Sequence, residues 1–208
     1  VAVQDPNPQV NCNGIALLRQ AGIQVDIGVL EDKARSLNPG FFKRMTQGLP
    51  WIRLKVAASL DGQTALTNGE SQWITSASAR LDGHAWRARS CAVLTGIGTV
   101  LQDDPQLNVR DIDTPRQPTL VIVDSKLETP LNARLWDTQR EVWIYCATGD
   151  TDRKAALEAK GVRVTCLPNA QGKVDLRALV QDLGQKAINE VHIEAGFKLN
   201  GSLLAADV

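Results

Sequence analysis

Chemistry-bearing side chains crowd into one run, Lys55 to Ser76. There S-L-D-G at 59–62 and G-E-S-Q-W-I-T-S at 69–76 bring hydroxyls, carboxylates, glycines and Trp73 together. Two readings stay open, a polar hairpin followed by a helix cap or a ligand-facing loop. Lys55, flanked by Leu54 and Val56 in an apolar stretch, favours the second, because a lysine so placed must snorkel or meet an anion. His84, Trp86, Arg87 and Arg89 follow on one predicted helix, with Arg87 three residues after His84 and so on its face. These arginines read as a solvated face or as a planar fork for a phosphate monoester. In Thr95-Gly96-Ile97-Gly98-Thr99, glycines at a strand-to-helix turn let backbone amides approach a phosphate. The G-x-G alone is not the full dinucleotide fingerprint. Asp103-Asp104-Pro105 reads as the start of a turn more readily than as a metal site, and Asn108-Val109-Arg110 supplies another arginine. Glu194 closes a short strand before Ala195-Gly196, placed either to touch a ligand or to complement a helix dipole. His192, beside Ile193, reads as a core or partner-facing histidine.

Alternating strands and helices must position these groups. Val1-Ala2-Val3 reads as the tail of a strand, Ile15 to Leu18 as helical, and Ala21-Gly22 as its stop. Ile23, Val25, Ile27 and Val29 alternate with period two and predict a strand. Glu31 to Gln47 predicts a helix broken at Pro39-Gly40, and Gly48-Leu49-Pro50 a linker. Beyond it, a strand over 51–59 turns at Asp61-Gly62 and returns through Thr64-Ala65-Leu66 as a hairpin. Thr75 or Ser76 caps a helix running to Arg89. Strands are expected at 91–94, 120–123, 142–146, 162–167 and 190–194, with helices near 151–160 and 175–187. Such alternation means an open α/β sheet of mostly parallel strands, with ligands at the strands' carboxyl ends.

Of the 208 residues 43% are hydrophobic, enough for a sizeable core, and the 23 Lys+Arg balance the 23 Asp+Glu. A neutral chain has no electrostatic footprint for nucleic acid or an anionic membrane, and its apolar runs are strand-sized, too short to span a bilayer. Cysteines at 12, 91, 146 and 166 show no C-x-x-C spacing, and with two histidines the chain offers no zinc box. Reduced thiols in a cytoplasm are the natural reading. The chain lacks an initiator Met and has apolar residues at both ends, so it reads as a piece of a longer protein.

Several blocks in order, L-K-V-A-A-S-L-D-G-Q-T-A-L, G-E-S-Q-W-I-T-S, W-R-A-R-S, T-V-L-Q-D-D-P-Q-L-N-V-R, V-I-V-D-S and E-A-G, resemble the bacterial riboflavin-biosynthesis bifunctional deaminase/reductases. The resemblance covers almost the whole chain. It implies a cut deaminase remnant at 1–48, from V-A-V-Q-D-P-N-P through G-F-F-K-R-M, and a C-terminally truncated reductase domain at 49–208. The implied fold is α/β and dihydrofolate-reductase-like, a mostly parallel sheet flanked by helices, preceded by the end of a cytidine-deaminase-like α/β domain. The implied reaction is NADPH-dependent reduction of 5-amino-6-(5-phosphoribosylamino)uracil to the ribitylamino compound. Its NADP site takes Ala57, Trp73, Thr99, Asp103, Ser125 and the run Gly196, Phe197, Lys198, Leu199, Asn200, Gly201 and Ser202. Its substrate site takes Lys55, Ser71, Arg87, Leu107, Arg110 and Glu194, with Lys55 and Glu194 as catalytic candidates and Arg87 and Arg110 clamping the phosphate. Phe197 stands where the family pattern has proline. A zinc deaminase pairs H-x-E with P-C-x-x-C; without that pair, neither zinc nor deamination is expected here. The resemblance further implies a phosphoribosylamino-pyrimidine partner, no nucleic acid or membrane, a cytoplasmic location and a homo-oligomer in the intact protein. An inactive nucleotide-binding or dimerisation module is the alternative; a pterin reductase is a third, disfavoured by the arginine pair.

Overall fold

The computed structural model describes residues 1–10 and 13–208. In chain order the elements are α1 (Asn13–Gln20), α2 (Glu31–Leu37), α3 (Pro39–Gln47), β1 (Trp51–Lys55), α4 (Ala77–Arg89), β2 (Ala92–Gly96), α5 (Ile97–Asp103) and β3 (Thr119–Val123). There follow a 3₁₀ turn (Arg134–Asp137), β4 (Val142–Cys146), α6 (Thr151–Glu158), β5 (Arg163–Cys166), α7 (Leu176–Gln185), β6 (Glu190–Glu194) and α8 (Phe197–Ala205). One six-stranded sheet runs in the order β1-β6-β2-β3-β4-β5. The pairs β6·β2, β2·β3, β3·β4 and β4·β5 are all parallel. Helices link successive strands except β3 and β4, which are joined through the 3₁₀ turn.

Local chemistry explains most of these boundaries. The Ser76 hydroxyl accepts from Ala79 N at 3.2 Å and starts α4, and the Asp150 carboxylate accepts from Arg153 N at 3.0 Å and starts α6. The runs A-V-L-T-G, T-L-V-I-V and V-W-I-Y-C are apolar on both faces, the mark of strands covered on both sides. Val93, Leu120, Ile122, Ile144, Leu135 and Leu157 form the heart of the core. Where β3 ends, the buried Asp124 carboxylate accepts from Glu128 N (2.9 Å), Thr129 N (2.8 Å) and Thr129 Oγ1 (2.7 Å). That carboxylate fixes the turn after the strand.

The chain divides into two compact units, residues 1–51 with 181–189, and residues 52–180 with 190–208. In the first, α2 ends at Leu37 and α3 begins at Pro39, the break that the Pro-Gly pair predicts. Gly48 closes α3 in the left-handed region at φ 72°. Gly184 packs directly on that turn: a Cβ there would collide with the Gly48 carbonyl oxygen. Arg44 Nε donates to Asn189 Oδ1, and Trp51 N to Asn189 O at 2.8 Å.

Three expected strands differ. Residues 23–29 join no ladder, and Val1–Val3 is no strand tail. The terminal Val1 ammonium donates to Asp26 O at 2.8 Å and Gly28 N to Val1 O at 3.1 Å, and Ile23, Ile27 and Val29 stay exposed. Alternation alone does not make a strand; a neighbouring edge must pair it. β1 stops at Lys55, so 56–66 does not form the expected hairpin. Gly62 N donates to Ser59 O and Gly69 N to Leu66 O, each at 2.9 Å, closing separate turns. Val56, Leu60 and Leu66 are exposed, so no buried face holds a return strand in register.

Candidate active site

Along β6, alternate residues share a face, which puts Glu190, His192 and Glu194 in one row. α4 and β1 answer that row with cations. Arg53 Nη1 lies 3.4 Å and Arg89 Nε 3.3 Å from Glu190 Oε2. Both guanidinium groups also stack on Trp86, Arg53 at 4.0 Å and Arg89 at 5.6 Å from the ring centre. At the carboxyl end of the strand, Arg87 grips Glu194 with both prongs of its fork, Nε to Oε1 and Nη2 to Oε2 at 2.8 Å. Its remaining nitrogen, Nη1, donates to Asn108 O at 2.9 Å. Arg87 is thus neither the solvated face nor the open phosphate fork that the sequence suggests. It is a largely buried ion-pair partner that ties β6 to the 104–110 loop.

Burial by itself would raise the Glu194 carboxyl. The hydrogen bonds and charge of Arg87, joined by His192 and Lys55, outweigh it and hold the group below the ordinary glutamate range. His192 is fully buried, its Nε2 is 3.6 Å from Glu194 Oε1, and neither ring nitrogen has a hydrogen-bond partner. Desolvation keeps it below the usual histidine range against the opposite pull of Glu194, and the charges of Arg87, Arg53 and Lys55 add to the lowering. His84 is lowered as well, first by burial and then by Arg87 and Arg110. Its Nδ1 accepts from Arg110 N at 3.3 Å. Both imidazoles are therefore neutral near pH 7, and Glu194 is an ionised acceptor.

The remaining candidates fall into groups. Lys55, at the end of β1, is exposed rather than buried, so solvent meets its charge, which also helps lower the Glu194 carboxyl. Arg110 is exposed, with Nη1 on Asn108 Oδ1 at 3.1 Å and Nε 3.8 Å from Asp111. Ser71 is half-buried and Trp73 exposed beneath Arg80, whose guanidinium lies 4.3 Å from the ring centre. Ala57 is half-buried in the loop after β1. Leu107 is the departure: its side chain sits in the core, at φ 49°, and its carbonyl is taken by Arg140 at 2.5 Å. Arg140, lowered to about 10 by burial and then by Arg87, also donates to Gln106 O and so shapes this loop from beneath. Nothing in the residue order marks that role. The charged alternation Glu190-x-His192-x-Glu194 opposite Arg53-x-Lys55 is a signal that could have revealed the polar row.

On the neighbouring strand, Gly96 ends β2 against Leu199 of α8; a Cβ there would lie 3.1 Å from Leu199 Cδ2. Here glycine permits close approach of the β2–α5 turn to α8. Gly196 caps α8 without a side-chain bond, leaving the helix's first-turn N–H groups open. Thr99 and Asp103 are four residues apart on α5, and the helix ends there with Asp104 as a left-handed cap, so the acidic pair starts a turn. Asn200 is buried and donates to Ala195 O at 3.0 Å, which braces the loop. Its Oδ1, like the Thr95 hydroxyl, is buried without a hydrogen-bond partner. Phe197, Lys198, Gly201 and Ser202 are exposed. At the end of β3, Ser125 O accepts from Ala147 N at 3.0 Å and Ser125 Oγ from Val174 N at 3.3 Å, so the hydroxyl proton stays free to donate. Among the described residues, no three His, Cys, Asp or Glu side chains are arranged to hold a metal.

The profile of the RibD C-terminal domain family matches residues 50–208. The riboflavin biosynthesis protein RibD of Escherichia coli (strain K12) is 42% identical over 217 residues, covering 99% of this chain and 58% of the relative. Among solved structures, Acinetobacter baumannii RibD superposes with a TM-score of 0.86 at 42% identity, over 100% of this chain and 57% of that one. A diaminohydroxyphosphoribosylaminopyrimidine deaminase/5-amino-6-(5-phosphoribosylamino)uracil reductase from Thermotoga maritima gives 0.83 at 30% identity, over 98% and 55%. The chain thus spans little more than half the length of the relatives it matches.

Proposed function

This chain belongs to the RibD C-terminal domain family, and from that premise we propose that it reduces 5-amino-6-(5-phosphoribosylamino)uracil with NADPH. One observation carries the reading. Lys55, Glu194 and Gly96 end β1, β6 and β2, and Ser125 lies two residues past the end of β3; the four strands are consecutive across the sheet, and a parallel α/β sheet binds its ligands at such carboxyl ends. The ends of β6, β2 and β3 lie together through parallel pairing, and Lys55 joins them through its charge on Glu194. The open first turn of α8, brought close to the β2–α5 turn by Gly96, and the orphaned Thr95 and Asn200 oxygens make a cradle that fits a dinucleotide. Gly196 to Ser202 would hold its phosphates, with Ala57, Trp73, Thr99 and Asp103 around the remainder and the Ser125 hydroxyl on the 2′-phosphate. When bound, NADPH supplies the hydride.

In this reading Glu194, kept ionised and aimed by Arg87, accepts from the sugar and stabilises positive charge at the imine of the open-chain substrate. Lys55 offers N–H donors beside it. Arg110 and Ser71 take the phosphate. Arg87 acts as a positioning residue, because its fork is already filled. Residues 1–48 are the end of a deaminase domain, and the chain itself holds no zinc and does not deaminate. NADPH is preferred over NADH by a modest factor, since one hydroxyl contact is weaker than an arginine fork.

The test is turnover. The chain, NADPH and the phosphorylated substrate are mixed, with loss of NADPH absorbance followed alongside product mass. Oxidation of one NADPH for each substrate gaining two hydrogens supports the proposal. NADPH binding without oxidation would instead make the chain a nucleotide-binding module. Elemental analysis finding about one zinc per chain would overturn the metal-free reading.

A further inference from the structure

Cys146 and Cys166 take no part in the site above, and only the sheet brings them together. Each is the last residue of its strand, and the parallel register of β4 and β5 sets one opposite the other. Opposed residues project to the same face, and strands lie roughly 4.8 Å apart. That spacing falls within the roughly 4.4–6.8 Å between α-carbons that a disulfide accepts. The sulfurs converge further: Cys146 Sγ is 3.6 Å and Cys166 Sγ 3.5 Å from one acceptor, the Thr148 carbonyl oxygen. Both are free, Cys146 buried and Cys166 exposed. Burial, and then its neighbour, pushes the Cys146 thiol up to about 11, so it stays protonated behind a partner that solvent reaches.

We propose that Cys146 and Cys166 are a peroxide-oxidisable dithiol, a modification site that closes into a disulfide across β4 and β5. Cys166 is the sulfur that meets the oxidant. Its thiolate attacks one oxygen of hydrogen peroxide, and the O–O bond breaks. Hydroxide leaves, takes up the proton Cys166 released and becomes water; Cys166 is now a sulfenic acid. The Cys146 sulfur then attacks the Cys166 sulfur, forming the S–S bond and breaking the S–O bond. The departing hydroxide takes the Cys146 proton as the second water. Two thiols lose two electrons and one peroxide becomes two waters. A dithiol reductant reverses the step by exchange. The bond would staple the strand ends at Ala147-Thr148, beside the Ala147 N to Ser125 O bond. It does not depend on the reductase reading.

The experiment exposes the folded chain to hydrogen peroxide, blocks free thiols with iodoacetamide and maps peptides without reduction. The expected product is a cross-linked peptide pair joining Cys146 to Cys166, about 2 Da lighter than its two thiol peptides. Alkylation should fall at both positions, persist at Cys91 and return after dithiothreitol. Cys166→Ser, at an exposed position, should fold and give no such peptide. Three outcomes overturn the proposal: Cys166 oxidised to sulfinic or sulfonic acid while Cys146 stays a thiol, chains joined to one another through Cys166, or both thiols unchanged under peroxide.

Discussion

β4 and β6 belong to one parallel sheet and have the same length, yet they are held by opposite means. Every residue of V-W-I-Y-C is buried, and Ile144 and Cys146 pack into the apolar core with Leu135 and Leu157. E-V-H-I-E buries Val191, His192 and Ile193 but offers Glu190 and Glu194 to arginines of α4 and β1. Apolar packing is non-directional and indifferent to pH. A paired charge depends on one named partner, because removing that partner strands the other charge out of water. The core half of the sheet is a scaffold, and the polar half is where groups can be aimed. The proposed chemistry belongs to the second.

The contrast is broken most severely by Glu194→Ala. It should lower kcat/KM by about two to three orders of magnitude, the usual scale for losing an aimed electrostatic group. It should also cost about 3 kcal/mol of stability, because Arg87 is left buried and unpaired. Steady-state kinetics and urea unfolding check both; a loss under tenfold would mean that Glu194 does not organise the polar half. Ile144→Ala is the matching cut in the other half. A stability loss of about 2–4 kcal/mol is expected, while kcat/KM per folded molecule stays within about threefold. A large loss of activity in the folded variant would show that the scaffold is not separable from the site.

Arg87→Lys keeps the charge but loses the planar fork. A fall in kcat of about tenfold is expected, one charge-assisted bond's worth, with KM for NADPH unchanged. If KM for the phosphorylated substrate rises instead and kcat holds, Arg87 binds phosphate and does not aim Glu194.

Acid should act on the polar half alone. His84 and His192 have folded values below the ordinary 6.5, so below that pH the unfolded chain takes up more protons and stability falls. Glu194, held below the ordinary 4.5, adds a second loss as pH falls beneath that value towards its own. Melting temperature recorded from pH 8 to pH 4 should decline in these two stages, and a flat profile would contradict the buried neutral imidazoles. The smallest effect belongs to His192→Leu. Replacing two unpartnered ring nitrogens with an apolar side chain of similar size should change stability by less than about 1 kcal/mol at pH 7. It should also flatten the stage below pH 6.5; an unaltered slope there would assign that stage to His84.

Features whose cause is local were legible in the sequence. The apolar run 142–146, the strand 190–194, the Ser76 cap of α4, the break at Pro39 and the turn at Asp103-Asp104-Pro105 all lie where neighbouring residues dictate, since caps, turns and periodicity act over a few residues. The unpaired 23–29 segment, the missing return strand after Lys55 and the burial of Leu107 were not legible, because each depends on whether a distant partner covers it. The same holds for the site. Residue types and their order marked Glu194, Arg87 and the glycines at the strand ends. Only the tertiary structure decided that the Arg87 fork closes on Glu194 and Asn108 O, and that Cys146 meets Cys166. Those pairings join residues far apart in the chain, and sheet order and register bring them together; no local propensity encodes either.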